Sequence, residues 1–254
     1  MRVRMASIAA RAGRVNEDFA GAVPEAAVLL DGAGIAGAGS VCRHGVAWFA
    51  TGLGGSLLGR LALAPERALP ALLAEAIVEV TDRHRDTCAV ADPISPSATV
   101  AMLRVAGGRL DYLVLGDSFL VLDRVGDDPL VVTDPREVVI SRRYEIALER
   151  GDEPQRVLRE LRSHRNRPGG FWLAKDDPRA ADEAITGSCP VAGLRGAVLL
   201  SNGVSRIVDR FGLTDWASVL SSGPAEIIGR VREAEARETV APDDATILYC
   251  TELG

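Results

Sequence analysis

Four aliphatic, β-rich runs follow one another between Ser97 and Thr133: Ser97–Val105, Leu110–Leu115, Phe119–Val125 and Leu130–Thr133. Only Ala106-Gly107-Gly108, Gly116-Asp117-Ser118 and Gly126-Asp127-Asp128-Pro129 separate them. Tight Gly-rich turns join antiparallel neighbours, whereas a parallel pair needs a crossover of about a dozen residues or more. The spacing therefore predicts an antiparallel meander. Strands that follow one another without helical crossovers exclude a doubly wound parallel sheet and point to an α+β fold with segregated helices.

The remaining segments fit that class. Ala26–Leu30 is a short apolar run entering Asp31-Gly32 and a Gly-rich stretch to Gly39, which predicts a buried strand ending in a loop. Val46–Ala50 is expected to be a neighbouring strand. Leu69, Leu72, Leu73, Ala76, Ile77 and Val80 recur at helical spacing opposite Glu75, Glu79 and Arg83, so an amphipathic helix is expected over 66–85, beginning near Gly54 and interrupted by prolines. Further helices are expected at Arg142–Arg150, Pro154–Ser163 and Ala225–Ala236, and further strands at Ala197–Ser201 and Ala245–Tyr249. No linker or repeat divides the 254 residues, so a single domain over 1–254 is expected.

Composition narrows the function. With 47% apolar and 25% charged residues the chain has the makeup of a folded protein. Aromatic residues amount to 4% and the net charge is −6, which leaves little stacking surface and no basic field for nucleic acid or anionic lipid. A divalent cation is the more natural partner. Cys42, Cys88, Cys189 and Cys250 are widely spaced, unlike the close pairs of zinc sites and redox dithiols, and are read as reduced thiols of a cytoplasmic protein. Arg11 and Arg14 interrupt any signal-peptide core, and no stretch of 18 uninterrupted apolar residues occurs. Neither export nor membrane spanning is expected.

Gly32-Ala33-Gly34-Ile35-Ala36-Gly37 fits the dinucleotide-binding pattern G-x-G-x-x-G, but no long apolar helix follows and the acidic ribose ligand about 20 residues on is missing. More informative are acidic residues at turns and strand ends in four distant segments: Asn16-Glu17-Asp18, Asp31-Gly32, Gly116-Asp117-Ser118 and Asp243-Asp244-Ala245-Thr246. Any one of them alone fits an ordinary turn. Together they offer hard oxygen donors, which suit Mg²⁺ or Mn²⁺.

In order and spacing these segments resemble the metal-dependent protein phosphatases of the type 2C (PPM) family across nearly the whole chain. Ser97-Ala98-Thr99-Val100, Gly108-Arg109-Leu110 and Leu115-Gly116-Asp117-Ser118 look like that family's threonine-bearing strand, hairpin and Gly-Asp-Ser. Val198 to Val204 and Asp243-Asp244-Ala245-Thr246 look like its last two metal segments. The resemblance implies a four-layer α-β-β-α sandwich, two antiparallel sheets between helices. It also implies two Mg²⁺ or Mn²⁺ ions that activate a water for in-line attack on phosphorus. By the same resemblance Asp31 bridges the ions, Gly32 offers its carbonyl, Asp244 is a terminal ligand, Glu17 and Asp18 bind or orient through water, and Asp117 lies near an accessory metal.

Two departures matter. Asn202 stands where the family's Ser-Asp-Gly supplies an anionic ligand; its carbonyl oxygen brings no charge. Asp243 beside Asp244 is the obvious candidate to replace that charge. Ala33-Gly34 stands where family members often carry His or Met and then glycines, which leaves His44 as the nearest histidine, either a leaving-group acid or a hydrogen-bonded side chain of the loop. Arg14, one position off the usual phosphate-binding arginine, either clamps phosphate or sits at a strand start. Arg156, Arg159, Arg162, Arg165 and Arg167, with His164, either steer phosphorylated segments or form a solvated face. Phe171-Trp172 is expected to pack against the sheets.

The expected activity is thus hydrolysis of phosphoserine or phosphothreonine in proteins by a bacterial type of cytoplasmic phosphatase. The alternatives are a weak or inactive pseudophosphatase used as a binding module, and a hydrolase of small phosphate esters.

Overall fold

The computed structural model describes residues 1–34 and 38–254, with every side chain of these except Ala38 and Glu145. Numbered in chain order, the strands are β1 Arg2–Ile8, β2 Phe19–Val23, β3 Ala26–Leu30, β4 Gly32–Ala33, β5 Ser97–Ala98, β6 Val100–Ala106, β7 Arg109–Leu115, β8 Phe119–Arg124, β9 Leu130–Val132, β10 Ile185–Pro190, β11 Leu194–Leu200 and β12 Ala245–Thr251. One five-stranded sheet has the order β1-β12-β11-β8-β9 and the other β10-β7-β6-β3-β2, while β4 and β5 pair as a small ribbon. All pairings between these strands are antiparallel.

The helices are α1 Val46–Leu63, α2 Leu69–Asp82, α3 Arg136–Glu149, α4 Pro154–Arg162, α5 Asn202–Asp209, α6 Trp216–Ser221 and α7 Pro224–Glu238. Side-chain alternation along the strands builds the layers. Ala27 and Leu29 of β3, with Ala101 and Leu103 of β6, meet Leu120, Leu122, Leu199 and Leu248 between the sheets. Val28 and Leu30, on the opposite face of β3, pack beneath Phe49, Leu53, Leu57, Leu72 and Ile77 of α1 and α2. Val121, Val198 and Ile247 face Val204, Ile207, Ile227 and Val231 of α5 and α7 on the other side. These strands are buried on both faces, which is why they read as continuous apolar runs. The architecture is the expected α+β sandwich of two antiparallel sheets flanked by helices.

Two expectations are corrected. Val46–Ala50 is not a strand but the start of α1. Its β-branched and aromatic residues suggest a strand locally, and Gly52, Gly54, Gly55 and Gly59 lower the helix propensity of the remaining turns. Those glycines serve close packing: a Cβ on Gly54 would stand 2.1 Å from the Phe19 ring. α1 is long and apolar enough, by length and composition, to cross a membrane, but here Phe49, Leu53, Leu57 and Leu61 are core residues.

The runs from Ser97 to Thr133 also do not form one meander. β6 and β7 belong to one sheet, β8 and β9 to the other, and Gly116-Asp117-Ser118 carries the chain between them. Phe171 and Trp172 are buried, the former with Leu161, Leu173 and Tyr144. The possible dinucleotide loop is described only as far as Gly34; Ile35, Ala36 and Gly37 lie outside the described residues.

Candidate functional site

Asp31 leaves the end of β3 and is fixed from three sides. Its N–H donates to the Thr99 hydroxyl at 3.3 Å, its carbonyl accepts from the Thr99 N–H at 2.9 Å, and Oδ2 accepts the Asn202 N–H at 3.0 Å. Thr99 Oγ1 and Ser118 Oγ, 2.5 Å apart and both buried, link the two sheets beside it. The next residue must be glycine: a Cβ on Gly32 would lie 2.3 Å from the Glu17 carbonyl oxygen and 2.6 Å from Val46 Cγ1. Gly203, in the first turn of α5, performs the same service, for a Cβ there would stand 1.9 Å from the Asp244 carbonyl oxygen. Backbone approach at these glycines brings four distant turns together.

The electrostatics bear out that convergence. Burial first, then the charges of Asp18, Asp117 and Asp243, push the Asp31 carboxyl well above the usual range, against the opposing Asn202 amide. Asp18 is pushed up to about 7, chiefly by burial, with Thr246 and Ser201 hydroxyls opposing and Asp244 and Asp243 adding to the rise. Thr246 Oγ1 lies 2.7 Å from Ser7 Oγ, and Ser201 Oγ accepts the Thr246 N–H at 3.0 Å. Both Asp18 carboxylate oxygens are buried without a hydrogen-bond partner among the described residues. A buried carboxylate with no donor is costly unless a cation or proton compensates it. This donor set therefore fits a divalent cation.

Asp117 is also raised by burial, with Asn202 and Arg162 opposing. The Asn202 side chain donates Nδ2 to Asp117 Oδ2 at 2.6 Å. Asn202 thus ties Asp31 to Asp117 through two donors, so the residue that removes an anion from the site also relieves repulsion within it.

Asp244 is occupied differently from its neighbour. Its Oδ1 and Oδ2 accept the N–H groups of Ala10 and Glu17, each at 2.6 Å, clamping the β1–β2 connection. Asp243 is exposed, held by Arg206 at 2.9 Å, and its charge reaches Glu17, Asp18, Asp31 and Asp117. Glu235, almost fully buried, bridges Arg206 at 2.8 Å and Arg232 at 2.7 Å behind it. Burial, then Asp244, raise Glu17, while Arg14 lowers it. Arg14 is exposed on the connection just before these acids.

The basic cluster divides. Arg156 pairs at the surface with Asp152 and Glu160. Arg165 is buried, its Nη1 3.5 Å from the Ser95 carbonyl oxygen. The charge of Arg162 lowers both Asp117 and Glu137, and its Nε and Nη1 are buried without a hydrogen-bond partner among the described residues. Glu137, in the first turn of α3, is pushed up to about 7 by burial and then by Asp117. Nothing in the sequence singles it out, because Arg136-Glu137 opens a helix with no motif around it. His44 lies elsewhere, stacked on Trp48 with ring centroids 4.4 Å apart. Its Nδ1 is 3.9 Å from Cys42 Sγ and 3.4 Å from Cys88 Sγ. Cys42 and Cys88, far apart in sequence, are therefore neighbours in space, and all four cysteines are free thiols.

No family model matches the sequence, and no curated protein matches it. Solved structures do. A bacterial serine phosphatase superposes with a TM-score of 0.65 at 12% identity, covering 99% of this chain and 97% of that one. The chain has the PPM-type phosphatase fold. The PPM Ser-Thr phosphatase MsPP from Mycobacterium smegmatis, in complex with cacodylate, matches with a TM-score of 0.60 at 20% identity, over 100% of this chain and 99% of that one. The catalytic domain of the serine threonine protein phosphatase PstP, in complex with two manganese ions, matches with a TM-score of 0.59 at 19% identity, over 98% and 97%.

Proposed function

We propose that the chain, acting as one domain, is a metal-dependent phosphoric monoester hydrolase whose substrates are proteins phosphorylated on serine or threonine. The observation that carries this reading is Asp18, whose carboxylate oxygens are buried without a hydrogen-bond partner among the described residues, beside the raised carboxyls of Asp31 and Asp117. The shared fold and the two manganese ions of PstP support the same reading and the same number of ions.

Asp31, Asp18, Asp117 and Asp243 would hold the cations, with the Gly32 carbonyl oxygen. Asp243 takes the terminal place that the sequence resemblance gave to Asp244, because both Asp244 oxygens accept backbone N–H groups. Bound Mg²⁺ or Mn²⁺ supplies charge neutralisation at the phosphoryl oxygens and lowers the pKa of an attacking water. The chain's own residues do the rest. Asn202 orients Asp31 and Asp117. Arg206 and Glu235 fix Asp243. Arg162, whose guanidinium has donors to offer, and Arg14, exposed beside Glu17, bind phosphate oxygens.

A second reading rests on one contact. Asn202 Nδ2 donates to Asp117 instead of presenting a ligand charge, and this favours a weakened or inactive phosphatase scaffold. Mn²⁺-dependent hydrolysis of a phosphothreonine peptide and an aryl phosphate separates the readings. Turnover of the peptide by wild type, lost in Asp31→Ala, supports the enzyme. Activity only in Asn202→Asp supports the disarmed scaffold, and a preference for the small ester places the activity on small phosphate esters.

A further inference from the structure

We propose that Cys42, His44, His84 and Cys88 form a tetrahedral zinc site, separate from the carboxylate site. Cys42 and His44 lie on the segment entering α1, and His84 and Cys88 on the turns after α2. Cys42 Sγ is 3.9 Å from His44 Nδ1 and 3.6 Å from His84 Nδ1, and Cys88 Sγ is 3.4 Å from His44 Nδ1. All four ligand atoms lie within 4.8 Å of one another. With Zn–S near 2.3 Å and Zn–N near 2.0–2.1 Å, a tetrahedron places sulfur and nitrogen about 3.5–3.6 Å apart. The observed separations bracket that edge.

Chemistry and surroundings select the ion. Two thiolates and two imidazoles are borderline-soft donors that suit zinc, in contrast to the hard oxygens around Asp31. Two thiolates also cancel the charge of the dication, so the complex is neutral where Cys42 and His84 are each 3% exposed. Binding releases the two thiol protons to solvent and leaves each imidazole coordinated through Nδ1 with its proton on Nε2. The rings are held by aromatic contacts: Trp48 stacks on His44 and lies with its centroid 5.2 Å from that of His84. The backbone is joined at the same place, the Ala89 N–H donating to the Val41 carbonyl oxygen at 2.9 Å. Four protein ligands leave no open position, so the ion is structural.

The placement gives the ion a task. It ties the entrance of α1 to the end of α2 two residues before Val46, whose Cγ atoms fill the space against Gly32 and Gly34. The zinc therefore braces the helix on which the segment following Asp31 rests.

The test uses the full chain. After dialysis, elemental analysis is expected to find about one zinc per chain, released by a mercurial thiol reagent and read with a chromogenic chelator. Cys42→Ser and Cys88→Ser are expected to lose it, and Asp31→Ala to keep it. Replacing zinc with Co²⁺ in wild type is expected to give intense tetrahedral ligand-field bands and a thiolate-to-cobalt charge-transfer band, a readout that does not depend on a variant folding. Three results would each overturn the proposal: no thiolate charge transfer in wild type, zinc lost with Asp31→Ala but retained in both cysteine variants, or a Cys42–Cys88 disulfide in the purified chain.

Discussion

The carboxylate cleft and the Cys/His cluster flank the same helix, α1, and are built on opposite principles. The site gathers hard oxygen donors from the start of β2, the ends of β3, β7 and β11 and the start of β12, and several are already occupied by the chain itself: Asp244 by two backbone amides, Asp31 and Asp117 by Asn202. The cluster gathers two sulfurs and two nitrogens on adjoining loops, at separations close to those of a filled tetrahedron. The first arrangement leaves buried carboxylate oxygens of Asp18 without a partner among the described residues and crowds like charges around Asp31. The second is a fixed geometry that serves to hold the chain. A site meant for turnover can leave charge uncompensated, whereas a site meant for bracing closes its coordination shell.

The largest effect that sharpens this contrast is expected for Asp31→Ala. Losing even the partner of a metal ligand costs about ten- to a hundredfold, so Mn²⁺-dependent hydrolysis should fall by more than about a hundredfold while zinc content is unchanged. Gly203→Ala tests whether backbone approach assembles the cleft. Its Cβ would meet the Asp244 carbonyl oxygen at 1.9 Å, and overpacking of that kind costs about 1–3 kcal/mol in chemical denaturation. Asn202→Asp replaces a donor to Asp117 with a like charge. In chelator the variant should be less stable by about 1–3 kcal/mol, and Mn²⁺ should then bind it more tightly than wild type.

A smaller effect concerns pH. Asp18 is raised from 3.8 to about 7 and Glu137 from 4.5 to about 7. Between the unfolded and folded values the folded chain holds more protons than the unfolded one, so stability falls as pH rises through that window. In chelator the melting temperature at about pH 5 should exceed that at about pH 8, and saturating Mn²⁺ should narrow or reverse the difference. Thermal scans with and without Mn²⁺ check this; a metal-free chain most stable at the higher pH would refute it.

The same contrast explains how much was legible in the sequence. The cleft announced itself because acidic residues beside Gly, Ser and Asn at strand ends are local patterns, and their order along the chain adds a second layer. The cluster did not, because Cys42-x-His44 and His84-x-x-x-Cys88 are each half a site, joined only when α1 and α2 pack side by side. The core strands were readable from their apolar runs. The edge strands β1 and β2 were not: Arg2 and Arg4 interrupt the first, and the second is largely Ala and Gly. Val46–Ala50 reads as a strand because the glycines that fit α1 over Phe19 weaken its helical signature. Asp243 and Asp244 could not be ranked from the sequence, since only the hydrogen bonds show that Asp244 is engaged by the β1–β2 connection.

The most direct test of the central claim is the binding of Mn²⁺, followed by the paramagnetic resonance of the free ion, to wild type, Asp31→Ala and Asn202→Asp with zinc content held equal. A cleft built around Asp31 and relieved by Asn202 predicts saturable binding in wild type, loss in Asp31→Ala and tighter binding in Asn202→Asp. Equal Mn²⁺ binding by all three proteins would contradict it.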